Sequence, residues 1–283
     1  MEDGLLNKKV AFIIQARMQS TRLPGKILMN LPLENGKPLL LWIIDELKKS
    51  KFDSKIIVAT SVNKENDILA SFCNSIDVSC FRGDEENVLS RFITIARQND
   101  FDCIVRLTAD NPILDINILE KVIKYHFEQN NEYTFTCEMP TGMNFEVISP
   151  KCLLDIENHS ISDADKEHVT MYVRNNNKYK KNSYNPSTKS ELKTLRLTVD
   201  YPSDFALLAL ILSLSVNNGN SGLQLIEEVY SKHPWLFEIN QANIQKKQFS
   251  NLTEEIKEAG TFLEQFDFKN AAKILKAQTL NLL

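Results

Sequence analysis

Apolar residues in the first half of the chain fall into two alternating kinds of segment. Short runs rich in Val and Ile at 10–14, 56–59 and 104–107 have the length and composition of buried strands. Between and after them, segments at 39–47, 68–72, 88–96 and 118–127 carry apolar residues at helical spacing. Strands joined by crossover helices pair in parallel and need cover on both faces. The alternation therefore predicts an α/β fold with a doubly wound, mostly parallel sheet, whose ligands sit beyond the carboxyl ends of the strands.

After residue 130 the pattern loosens. A polar insert at about 130–195 contains the low-complexity stretch 175–193, read as a hairpin or exposed loop. A strand at 195–199 and a helix at 202–214 follow, and the apolar positions of that helix point to packing on the sheet. From residue 241 the chain reads as helical, with Phe268, Ala271, Ala272 and Leu275 forming one stripe that either docks on its own domain or makes a dimer contact. The expected organisation is a domain at 1–240, including the insert, and a helical extension at 241–283.

Composition narrows the function classes. Of 283 residues, 43% are hydrophobic and 25% charged, and no apolar run approaches the roughly 20 residues of a membrane span. Glu2 and Asp3 replace the basic start of a secretory signal, so the expected compartment is the cytoplasm. A formal charge of −4 gives no general attraction to nucleic acid, so cationic chemistry must be local. Five single cysteines without a CxxC pair argue against a disulfide framework or a thiolate zinc site and read as buried, reduced thiols.

The local cations follow the first strand. The run IIQARMQSTRLPGK (13–26) groups Arg17, Arg22 and Lys26 with Ser20, Thr21 and Gly25. Guanidinium forks and a mobile ammonium suit phosphate oxygens, and small hydroxyl residues let backbone N–H groups approach a polyanion. The run is neither a Walker A loop, lacking the earlier glycine and a Ser or Thr after Lys26, nor a GxGxxG fingerprint. A solvated basic turn is the plain alternative, and its place at a strand's carboxyl end favours an anion site.

This run closely resembles the opening of the SpsF-like cytidylyltransferases of surface-polysaccharide synthesis, relatives of the 3-deoxy-manno-octulosonate and acylneuraminate cytidylyltransferases. The likeness continues in order through RGDEENVLSRF (82–92), VRLTADNP (105–112), GMNFEV (142–147), EHVT (167–170) and LRLTVDYPSDF (195–205). It implies a nucleotide-diphospho-sugar transferase-like fold and transfer of CMP from CTP to a sugar, sugar acid or sugar-like acceptor for glycan synthesis. It further implies Arg17, Ser20, Thr21, Arg22 and Lys26 at the triphosphate and a homodimer, as many relatives form. The expected catalytic residues are Arg17, Lys26 and Asp110.

Asp110 and Asp200 follow the strands at 103–107 and 195–199 and are expected to converge on one ion. Magnesium takes few carboxylates and completes its shell with water and phosphate oxygens, so two aspartates and a triphosphate suffice. In the relatives the matching aspartates hold magnesium. The alternatives are a turn former at Asp110 and a helix cap at Asp200 or Asp204, of which Asp204 fits the structural role. The DxD at Asp163–Asp165 is read as an acidic helix start, not a metal motif.

The resemblance sets Arg82 and Gly83 beside the cytosine and Arg106 near the reacting phosphates or the acceptor. Asn111, Asn144, Glu146, Glu167 and His168 fall on its acceptor side; Gln19 and Asn144 depart from the residues common in relatives. No nucleophile–base pair is recognisable, in keeping with a transfer that depends on positioning and charge neutralisation. Two rivals remain at this point: a nucleotide-sugar-dependent glycosyltransferase and a nucleotide-binding homologue without turnover.

Overall fold

The computed structural model describes residues 2–243 and 252–279. Among the described residues lie nine strands: β1 (Lys9–Gln15), β2 (Asn30–Leu31), β3 (Lys37–Pro38), β4 (Asp53–Ser61), β5 (Ser79–Gly83), β6 (Cys103–Thr108), β7 (Tyr133–Thr136), β8 (Glu146–Ile148) and β9 (Lys181–Tyr184). Apart from the small β2–β3 pair, they form one sheet in the order β5-β4-β1-β6-β8-β7-β9. Pairing is parallel from β5 through β6, antiparallel on both sides of β8, and parallel again between β7 and β9.

β1 shows why the sheet lies inside. Val10 through Ile14 are all fully buried, and their side chains alternate between two apolar layers. Val10, Phe12 and Ile14 face α2 (Leu39–Leu47), α3 (Asp67–Ser75), α5 (Ile116–Glu128), α9 (Pro202–Asn218) and α10 (Gly222–Lys232). Ala11 and Ile13 face α4 (Val88–Gln98), α6 (Pro150–Ile156) and α8 (Met171–Asn175). A short α1 (Glu2–Leu6) precedes the sheet, and α7 (Asp163–His168) sits between α6 and α8. Asn87 and Asp115 start α4 and α5 by accepting the Ser90 and Ile118 backbone N–H groups, as helix caps do.

Where the sequence reading differs, the cause is the company a segment keeps. The run 195–199 is extended but is not a strand of the sheet. It makes a single bridge at Thr141 and Arg196, where the Thr141 N–H donates to the Leu195 carbonyl at 2.9 Å and the Leu197 N–H to the Thr141 carbonyl at 2.7 Å. Its neighbours are loop ends, so its β-branched residues make it straight without giving it a ladder. The stretch 175–193 is not a hairpin either: within it β9 becomes the parallel edge partner of β7. Its polarity fits an edge strand, where lysines discourage pairing with a further chain. The helical segment that the DxD opens is divided, since Val169 takes a φ of 57° between α7 and α8.

Of the cysteines, Cys73, Cys103 and Cys152 are buried, whereas Cys80 and Cys137 are partly exposed, and all five are unbridged. The acidic DxD opens α7 through a capping box in which Ser162 and Asp165 satisfy each other's backbone N–H groups. By packing, the chain divides into Met1–Asn243 and Ile244–Leu283. In the second unit α11 (Leu252–Gln265) packs on α12 (Lys269–Thr279), with the Phe262 and Phe266 rings 4.6 Å apart. Of the expected stripe, Ala272 is buried while Phe268 and Ala271 are exposed. The expected helix from Gln241 onward falls partly on 244–251 and 280–283, which lie outside the described residues.

Gly142 sits where the Thr141 bridge meets the 195–199 segment. It is buried with φ +97°, and an added Cβ would stand 2.7 Å from the Leu197 carbonyl and the Thr198 nitrogen. Gly142→Ala is expected to destabilise the fold by on the order of 1–3 kcal/mol through this conformation, with the steric overlap adding to it. Urea unfolding measures the loss, and an unchanged midpoint would contradict the close approach.

Candidate active site

The charged residues of the candidate site gather at the carboxyl ends of β1 and β6. Beyond β1 the chain turns back on itself, the Gly25 N–H donating to the Met18 carbonyl at 2.9 Å. Gly25 has φ 73° and ψ 3°, a left-handed conformation that costs L-residues on the order of 1–2 kcal/mol, and it opens the 3-10 turn that begins at Lys26. Buried Asn66 pins the other side of the loop: its Oδ1 accepts the Met18 N–H at 2.8 Å, and its Nδ2 donates to Ser61 Oγ at 2.8 Å. No motif marked Asn66, because its role is to satisfy backbone and not to present a charge.

The loop turns its cations to different depths. Lys26 is 7% exposed, and its Nζ lies 3.1 Å from Asp110 Oδ2 and 3.1 Å from Asp200 Oδ1 while donating to the Val199 carbonyl. Arg22 is half-buried, its Nη2 3.1 Å from the same Asp200 Oδ1 and its guanidinium 4.6 Å from the centre of the Tyr201 ring. Arg17 stays at the exposed rim, 3.7 Å from Glu85. Ser20 is partly exposed and Thr21 exposed within the same loop.

The two aspartates arrive from chain segments far apart in sequence. Asp110 follows β6, and its Oδ1 accepts the Thr108 hydroxyl at 2.7 Å; Asn111 Nδ2 donates to that same hydroxyl at 2.9 Å. Asn111 Oδ1 is buried with no hydrogen-bond partner among the described residues. The Val199 N–H donates to the Asp110 carbonyl at 2.8 Å, which ties the 195–199 segment to β6 and brings Asp200 to the site.

A network absent from the sequence reading then aims Asp200. Its Oδ2 accepts Arg196 Nη2 at 2.9 Å, and Arg196 also donates to Asp204, which is fully buried. Asp204 accepts the Asp200 and Tyr201 N–H groups and the side-chain amides of Asn240 and Asn243 as well. Asp204 therefore has the structural role expected for it. The signal available was an arginine within an apolar segment, four residues before Asp200.

On β6 a second cluster begins two residues earlier. Arg106 and Glu146 face each other in the β6–β8 register, with Arg106 Nη1 2.6 Å from Glu146 Oε2 and Arg106 Nε donating to Gln15 at 3.1 Å. Glu146 Oε1 accepts the hydroxyls of Tyr133 and Thr170. Thr170 is thus the residue of the EHVT run whose hydroxyl joins this cluster. Glu167 is exposed, His168 partly buried, and Asn144 exposed with its amide 3.3 Å from the Pro140 carbonyl.

On β5, Arg82 is engaged by the loop after β4: it donates to the Ser61 and Asn63 carbonyls, each at 3.0 Å, and pairs with Asp67 at 2.7 Å. Gly83 leaves room for Arg91, whose Cγ would be 2.9 Å from an added Cβ. Arg91, 2% exposed and unmarked by the sequence reading, donates to the Asp84 and Glu85 carbonyls and fixes the loop opposite Arg17.

A sheet of this order, with a cationic loop behind its first strand and two acids at one lysine, belongs to the nucleotidyltransferases. More narrowly, the chain belongs to the cytidylyltransferase family, whose model matches residues 11–247. Enzymes of this family are CTP-dependent nucleotidyltransferases, and so is this chain. It is 37% identical over 202 residues to the spore coat polysaccharide biosynthesis protein SpsF of Bacillus subtilis (strain 168), covering 69% of this chain and 83% of that one. A solved cytidylyltransferase from Leptospira borgpetersenii matches with a TM-score of 0.74 and 29% identity over 86% of this chain and 100% of that one. The CMP:2-keto-3-deoxy-manno-octonic acid synthetase solved with CTP shares the fold at a TM-score of 0.55 and 13% identity, over 74% of this chain and 100% of that one. Among the described residues no helix is long and apolar enough to cross a membrane.

The charges predict an acid response. Burial pushes the Asp200 carboxyl up, but Lys26, Arg22 and Arg196 outweigh it and hold the group below its ordinary value of 3.8. Burial likewise opposes ionisation of Asp204, and the Arg196, Asn243 and backbone donors overcome it; in Glu146 burial is overcome by Arg106 with Tyr133 and Thr170. Groups with a depressed folded pKa stabilise the fold fully above their unfolded values, 3.8 for Asp and 4.5 for Glu, and lose that contribution as pH falls through the folded values. Stability measured by urea unfolding is therefore expected to drop steadily from about pH 4.5 downward. Asp204→Asn is expected to be less stable at neutral pH and to show a shallower acid slope; an identical slope would refute the role of Asp204 in it.

Proposed function

We propose that this enzyme transfers CMP from CTP to a hydroxyl or phosphate oxygen of a sugar, sugar acid or sugar-like acceptor, releasing pyrophosphate, in the synthesis of a surface polysaccharide or other glycan. The observation that carries the reading is the meeting of Lys26 and Arg22 with Asp110 and Asp200 at the ends of β1 and β6. SpsF, named for spore coat polysaccharide synthesis, supports the glycan context. The glycosyltransferase and the non-catalytic alternatives find no support in a family of CTP-dependent transferases.

Arg17, Arg22 and Lys26 are assigned to the triphosphate, with Ser20 and Thr21 lining its loop. Asp110 and Asp200 are assigned to magnesium. The donor set fits: two carboxylates and the Val199 carbonyl already surround one cationic group, the Lys26 ammonium, with hard oxygens of the kind magnesium prefers. Magnesium, when bound, supplies charge neutralisation at the phosphates.

The residues themselves position and neutralise. Lys26 and Arg22 draw negative charge from the leaving pyrophosphate, Arg17 closes the loop from the rim, and Arg196 with Asp204 keeps Asp200 aimed inward. Backbone groups of Arg82 and Gly83 are assigned to the cytosine side, since the Arg82 side chain is engaged elsewhere. Arg106, Asn111 and Glu146 are assigned to the acceptor side, with Asn144, Glu167 and His168 farther along its rim. A homodimer acting in the cytoplasm completes the proposal.

Purified enzyme with magnesium, CTP and a panel of sugar phosphates and sugar acids is expected to release pyrophosphate, and to prefer CTP over ATP, GTP and UTP. Lys26→Ala and Asp110→Ala should each lower kcat/KM by about 100-fold or more, the effect of losing one charged group at the transferring phosphate. Unchanged rates in both variants would remove these assignments, and silence across the panel with all four nucleotides would remove the reaction.

A further inference from the structure

We infer that Lys26 occupies the metal's place between Asp110 and Asp200 until nucleotide arrives, so that divalent metal and CTP bind as a coupled pair. The inference rests on the assignment of those two aspartates to the metal.

The geometry has two kinds of contact at Asp200. Its Oδ2 is held by Arg196, which is locked in turn by buried Asp204 and through it by Asn240 and Asn243. Its Oδ1 instead receives Lys26 and Arg22, each at 3.1 Å, and both come from the phosphate loop. Lys26 Nζ also reaches Asp110 Oδ2 at 3.1 Å and the Val199 carbonyl, so one ammonium spans the oxygens that a metal would use.

Lys26 is only 7% exposed, so little water screens its charge, and a divalent ion entering between the same Asp110 and Asp200 oxygens would meet strong repulsion from the ammonium. The ammonium must leave for the ion to enter, and a buried ammonium leaves only for another anion. The triphosphate is that anion, and the lysine's flexible four-carbon stem lets it follow. Phosphate oxygens and carboxylates thus exchange counter-ions: Lys26 and Arg22 pass from Asp200 to the nucleotide, and the metal takes the vacated carboxylate oxygens. Linkage makes the effect reciprocal, each ligand raising the other's affinity by the same factor.

The test is Mn2+ binding without nucleotide, read from the free-ion signal in electron paramagnetic resonance, for wild type, Lys26→Met, Lys26→Gln and Asp110→Asn. Wild type is expected to bind weakly, and both Lys26 variants at least about tenfold more tightly, since removing the ammonium frees the oxygens. Mn2+ alone should also raise the Tm of the Lys26 variants more than that of wild type. Wild-type binding as tight as in the variants, abolished by Asp110→Asn, would overturn the inference while leaving the metal assignment intact. Binding indifferent to Asp110→Asn would instead overturn the assignment itself. Circular dichroism checks folding; should neither Lys26 variant fold, tight Asp110-dependent binding by nucleotide-free wild type overturns the inference, and weak binding supports it.

Discussion

A lysine ammonium shared by two aspartates fixes what the rest of the structure must do. Lys26, Asp110 and Asp200 lie 84 and 174 positions apart along the chain, and their charges are tolerated in a nearly closed site only because they meet. β1 delivers the lysine through a loop that Gly25 and Asn66 hold in shape. β6 delivers the first aspartate, and a segment anchored to Thr141 and to the Asp110 carbonyl delivers the second. The parallel sheet is the frame that makes these three arrivals coincide.

The second cluster is built on the same strand by a different device. Arg106 opposes Glu146 across an antiparallel pair, so the reversal of direction at β8 is what places a carboxylate beside an arginine that would otherwise enter an apolar layer unpaired. Gln15, the neighbour of Thr108 in the β1–β6 register, accepts from Arg106. The two clusters thus both lie toward the carboxyl end of β6 while drawing on separate partners.

Much of this was legible in the sequence, and the rest was not for identifiable reasons. Continuous Val and Ile runs announced β1, β4 and β6, because a strand buried on both faces has no polar alternation to obscure it. The cationic loop after β1 was legible since Arg17, Arg22 and Lys26 are close in the chain. Arg196, Asp204, Asn240 and Asn243 were not recognised as one network, because they meet only after folding. Residues 195–199 and 181–184 exchanged expectations: the first is β-rich yet lacks a strand to pair with, and the second is polar yet has β7 beside it. Pairing depends on what lies alongside, and composition does not report that. Asn66 and Arg91 escaped notice for a related reason, since both serve backbone groups that no motif describes.

The hydrogen bonds from Asn240 and Asn243 to Asp204 draw the last residues of the first unit into the support of the site. Both amides stand a few residues before the family match runs out at 247. A change at either position therefore reaches Asp200 at second hand, through Asp204 and Arg196, from about forty positions farther along the chain.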